Sequence, residues 1–136
     1  MQNIIKQKLL IVEGESDKRF FESLLKYFQL ILTNSKPKIG IMILPEKNKE
    51  GELEDVCINS LKNSSEMECI ESYIDCISKK TKREPSKKSK SKIYTYIASS
   101  DNPELRLGEA AEKGLFNWDN VAFELVKKFL KLIADS

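Results

Sequence analysis

Lys8-Leu9-Leu10-Ile11-Val12-Glu13-Gly14-Glu15-Ser16-Asp17 decides how the rest of the chain is read. Residues 8–12 are one lysine followed by an aliphatic run, the pattern of a parallel strand covered on both faces. Gly14 permits a tight turn and close approach of a ligand to the backbone. Ser16 reads as an N-cap for a helix carrying Phe20, Phe21, Leu24, Leu25 and Phe28 at helical spacing. Glu13 then ends a strand, where open α/β sheets bind ligands. Asp17 follows in the first helical turn. Two carboxylates at such a mouth suit a hard divalent cation, Mg2+ or Mn2+. The helix macrodipole alone also favours an acid at Asp17, whereas a strand end offers Glu13 no such reason.

Working outward, residues 29–33 and 39–44 read as two further strands, separated by the turn residues Asn34-Ser35-Lys36-Pro37-Lys38 and stopped by Pro45. Residues 52–61 read as a short helix with Leu53, Val56, Cys57 and Leu61 on one face. Glu54 and Asp55 lie near its first turn, as metal-site candidates or as partners of the dipole. A helix over 66–79 follows, with Met67, Ile70, Tyr73, Ile74 and Ile77 as its buried stripe. Ile93, Tyr96 and Ile97 mark another, residues 104–113 a short one ended by Gly114, and residues 121–134 the last. That last helix carries Ala122, Leu125, Val126, Phe129, Leu130 and Ile133 on its core face, and Trp118 reads as a packing anchor before it. The order is strand, helix, two strands, then helices to the end. The expected fold is α/β: a small, mainly parallel sheet with a helical C-terminal half.

The chain has 136 residues, 40% hydrophobic and 32% charged, which suits one domain, 1–136, with a single core. A net charge of +2 gives no whole-molecule argument for nucleic acid. There is no histidine, which removes His-based general bases, triads and most zinc sites. Cys57, Cys69 and Cys76 form no C-x-x-C pair and read as reduced, packed thiols of a cytoplasmic protein. No stretch reaches the roughly 18 apolar residues of a membrane span, and the opening residues do not suggest a signal peptide.

Charge is concentrated in one place. Of the fourteen residues 79–92, eight are basic: Lys79, Lys80, Lys82, Arg83, Lys87, Lys88, Lys90 and Lys92. With Pro85 and three serines among them, they read as a solvated, mobile loop. The functional alternative is phosphate contact. No aromatic residue interleaves the run, so base stacking is not indicated. Lys90 and Lys92 fall near the start of the next helix, where a lysine opposes the dipole.

Residues 8–17 resemble the opening of the Toprim fold, and the Glu-x-x-x-Asp form of Glu13 and Asp17 resembles the Toprim domains of OLD-family nucleases. Further blocks are similar to a Toprim-related prokaryotic family: 39–45, 51–55, 90–98 and Arg106-Leu107-Gly108-Glu109-Ala110-Ala111-Glu112-Lys113-Gly114. The resemblance implies two-metal phosphodiester chemistry. Glu13 would be a ligand or acid/base, Asp17 a ligand, and Glu54 or Asp55 a later acidic ligand. Lys90 or Lys92 would neutralise charge in the transition state.

One departure matters. Toprim domains carry an Asp-x-Asp pair on a further strand before the block at residue 39, and no such pair is present here. Glu13 and Asp17 alone would hold at most one ion. The expectation is therefore a shortened Toprim-like protein of nucleic-acid metabolism with weak or absent hydrolysis, or a non-catalytic binding module. The latter would contact nucleic acid through Lys79, Lys80, Lys82, Arg83, Lys87 and Lys88. A shortened sheet would also leave an open edge, so a homodimer is expected.

Overall fold

The computed structural model describes residues 14–30, 42, 45–46, 49–50 and 52–135. Helix α1, Glu15–Tyr27, opens the described part. A two-residue antiparallel pair, β1 (Pro45–Glu46) and β2 (Lys49–Glu50), follows. Then come α2 (Leu53–Leu61), α3 (Ser65–Thr81), α4 (Lys88–Ala98), α5 (Leu107–Glu112), a 3-10 turn at Val121–Phe123, and α6 (Glu124–Asp135).

This corrects the α/β expectation. Among the described residues the fold is helical and has no parallel sheet. The strand readings at 8–12, 31–33, 39–41 and 43–44 lie outside the described residues. Gln29 is in a turn with φ 53°, and Leu30 and Met42 are in no strand. The sheet edge that motivated a homodimer has no counterpart among the described residues beyond the β1–β2 pair.

The helices form where periodicity and capping coincide. Ser64 caps α3 by accepting from the Met67 N–H at 3.1 Å. Asn120 accepts from the Ala122 N–H at 2.9 Å and starts the 3-10 turn. Gly114, at φ +78°, follows α5 in the left-handed conformation that favours glycine. At α1 the cap differs from the sequence reading. Gly14 is the N-cap, and the Ser16 hydroxyl instead accepts from the Gly108 N–H of α5 at 2.9 Å.

The core is built by α1, α2, α4, α5 and α6. Phe20 is its hub, edge-on to Trp118 at 5.2 Å and within 6.3 Å of Phe116 and Phe123. Leu24, Val56, Cys57, Ile93, Ile97, Ala110, Val126 and Leu130 close around that aromatic group. Trp118 is buried, as its anchor reading requires. α1 meets α5 most closely, and Gly108 is the reason: a Cβ there would overlap the Ser16 carbonyl and meet Arg19 Cβ at 2.8 Å. Arg19 then bridges to Glu109 at 3.2 Å and Glu112 at 3.8 Å.

α3 stands apart. It packs on α4 through Met67 and Ile70, and neither residue joins the main core cluster. Its buried stripe is therefore narrower than the periodicity predicts. Tyr73 is 56% exposed and Ile77 38%. Leu125 on α6 is likewise exposed, and Phe123, before that helix, takes the buried place.

Candidate functional site

The basic run does not form one loop. Lys79 and Lys80 close the last turn of α3, Lys82 and Arg83 lie in the connection, Lys87 precedes α4, and Lys88, Lys90 and Lys92 lie within α4. This places α4's N-terminus, with its positive dipole end, among lysines. The acidic start of α2 packs against it and compensates. Lys90 Nζ lies 3.7 Å from Glu54 Oε1, and Lys87 Nζ 3.3 Å from Glu52 Oε1. Asp55 accepts from the Glu52 N–H at 2.7 Å and from the Ser89 hydroxyl. One carboxylate cluster thus faces the N-termini of two helices.

The electrostatics follow from that packing. Glu54, with Glu52 beyond it, raises the Lys90 ammonium above its ordinary value. The Glu54 side chain is only 13% exposed. On the other flank Lys92 reaches α3, donating to Glu71 at 2.7 Å, and that bond lowers the Glu71 carboxyl.

Of the sequence-predicted residues, the structure therefore brings together Glu54, Asp55 and Lys90. Lys92 goes elsewhere, to Glu71. Asp17 lies half-buried in the first turn of α1 with no ion pair among the described residues. Glu13 lies outside the described residues.

Glu54 and Asp55 are both engaged within the chain. Both Asp55 oxygens already accept hydrogen bonds, and the Glu54 carboxylate faces an ammonium that a divalent ion would have to displace. Among the described residues no group of three or more His, Cys, Asp or Glu is arranged to hold a metal.

The remaining cations divide cleanly. Lys79 pairs with Asp75 at 2.7 Å, and Lys88 with Glu84 at 2.9 Å. With Lys87, Lys90 and Lys92, five of the eight basic residues are matched by carboxylates of this chain. Lys80, Lys82 and Arg83 are exposed and have no acidic partner among the described residues. Sequence reasoning missed this division. The pairs Lys87–Glu52 and Lys90–Glu54 span more than thirty residues and depend on how α2 meets α4.

The three cysteines are free thiols on helices. Cys57 is buried as expected, and burial pushes its thiol well up, with Glu54 and Asp55 adding to the effect. Cys69 and Cys76 are exposed on α3, against the packed reading. Among the described residues no helix is long and apolar enough to cross a membrane.

No curated protein and no solved structure matches the chain. A family model matches residues 29–135, a span that takes in Glu54, Asp55 and the whole basic run but not Glu13 or Asp17. On that match the chain belongs to the family described as protein of unknown function (DUF3226).

Proposed function

We propose that this chain is a cytoplasmic nucleic-acid-binding module without phosphodiester chemistry of its own, holding phosphates at Lys80, Lys82 and Arg83. The observation that carries the reading is the division of the basic run. Five cations are matched by carboxylates of this chain, three of them (Lys87, Lys90 and Lys92) across helices and two (Lys79 and Lys88) in local i,i+4 pairs, while three neighbours at one end of α3 have no acidic partner among the described residues. Neighbouring cations with no internal counter-ion are what phosphate contact requires. The resemblance to Toprim proteins supports a nucleic-acid partner. The engagement of Glu54 by Lys90, and of Asp55 by Ser89, argues against a working metal centre there.

Lys82 adds weight. It ends α3 at φ 58°, a left-handed position that glycine or asparagine takes at lower cost. A lysine kept in a strained conformation points to a task for its ammonium.

The test is binding of a labelled oligonucleotide by fluorescence anisotropy, with the native chain and with the triple variant Lys80→Ala, Lys82→Ala, Arg83→Ala. The expected result is loss of binding in the triple variant, full binding in Lys90→Ala, and no cleavage with Mg2+ or Mn2+. Equal binding by the triple variant would remove the reading. Cleavage lost in Glu54→Gln would restore the catalytic one.

A further inference from the structure

The partner's form can be read from the helix face that runs up to the free cations. α3 is seventeen residues long and peripheral, and residues three, four and seven apart on it share a face. Cys69, Tyr73, Cys76 and Lys80 therefore line one outward stripe, with Ile77 at its edge. Tyr73 and Lys80 are seven residues apart, about 10 Å along the axis. Tyr73 is 56% exposed and has no hydrogen bond or ring contact among the described residues. The carboxylates nearest Lys80 in sequence are both engaged: Glu84 by Lys88 and Asp75 by Lys79. Glu66 and Glu68 lie in the first turn of α3, so phosphates are drawn to the opposite end, at Lys80, Lys82 and Arg83.

An exposed aromatic ring in line with unpaired cations is the arrangement that binds unpaired bases. The cations follow the backbone and the ring stacks a base. A duplex keeps its bases stacked inside and offers Tyr73 nothing but backbone. We infer that the α3 stripe is a binding site for single-stranded nucleic acid, with Tyr73 as the stacking platform. This rests on the phosphate-binding reading above and adds to it a residue and a strand form. It also revises the view that no aromatic accompanies the basic run: helical geometry brings one to it from outside the run.

The experiment compares a twenty-nucleotide thymidine strand with a duplex carrying the same number of phosphates. Native chain, Tyr73→Ala, Tyr73→Phe and the triple cation variant are each titrated at one salt concentration. Unchanged thermal midpoints check that the variants fold. The expected result is single-strand binding at least about tenfold tighter than duplex binding. Tyr73→Ala should weaken the single-strand complex about 5- to 100-fold and leave the duplex complex unaltered. Tyr73→Phe should retain both, because it keeps the ring. Equal affinity for the two forms, or no effect of Tyr73→Ala, overturns the stacking inference. The phosphate reading then survives if the triple variant still loses binding. Absence of binding to either form, including the case where the chain instead associates with anionic vesicles or an acidic peptide, overturns both.

Discussion

Lys90 Nζ lies 3.7 Å from Glu54 Oε1, and the two residues open different helices, α4 and α2. The pair joins two positive helix ends through one carboxylate cluster. Its role here is to fix the α2–α4 contact. In a double-mutant cycle with Lys90→Ala and Glu54→Gln, the expected coupling is about 0.5–1 kcal/mol, kept small because Lys90 is partly solvated. Denaturant unfolding measures it. Oligonucleotide affinity should be the same in all three variants.

Gly108 lets α1 and α5 approach until the Ser16 hydroxyl takes the Gly108 N–H. Gly108→Ala should destabilise the fold by about 1–3 kcal/mol, because the added methyl meets backbone that cannot rotate away. Thermal unfolding gives the answer. Gly14→Ala, where an added Cβ meets nothing within 4 Å, is the comparison and should lower stability only by the roughly 0.5–1 kcal/mol that alanine costs at an N-cap.

Much of the helical part was legible in the sequence. Phe20 and Leu24, Met67 and Ile70, Ile93 and Ile97, and Val126 and Leu130 all recur at helical spacing and are all buried. Ser64 supplied a cap that residue type alone could suggest. Tyr73 and Ile77 failed because periodicity says which residues share a face, not how wide a face the neighbours cover. Among the described elements, α4 is the one that packs substantially on α3. The described residues hold a helical core and no parallel sheet, and the aliphatic runs that read as strands lie almost wholly outside them. At the site, the local signal gave the cations but not their partners. Lys79–Asp75 and Lys88–Glu84 are local i,i+4 pairs, but Lys87, Lys90 and Lys92 find their carboxylates far away in sequence, and only packing decides those three.

Lys82 should show a trade between stability and binding. Lys82→Gly removes the cost of φ 58° and should stabilise the chain by about 0.5–1 kcal/mol. It also removes one phosphate contact, so single-strand binding should weaken and its salt slope should shrink by about 0.7. Denaturant unfolding and a salt titration on one preparation measure both effects.

Cys57 predicts a loss of stability in alkali. Its folded thiol keeps its proton where an unfolded one, with an ordinary value of 9.0, loses it. The unfolded state is therefore favoured as pH rises above 9, by up to about 1.4 kcal/mol per unit. Lys90, whose ammonium is raised, acts in the same direction from its own ordinary value of 10.5 upward. Cys57→Ala should be less stable at neutral pH because it opens a cavity, yet show a flatter decline between pH 9 and 10. In the native chain a thiol reagent should label Cys69 and Cys76 at once and Cys57 only on unfolding.

The most direct test is the salt dependence of binding to a thymidine strand between 50 and 200 mM. Three phosphate contacts, at Lys80, Lys82 and Arg83, give an expected slope of about −2 in log K against log salt. A slope near zero would mean no phosphate is held there. A slope of about −6 would mean all eight cations engage the strand, contradicting their division between the fold and the partner.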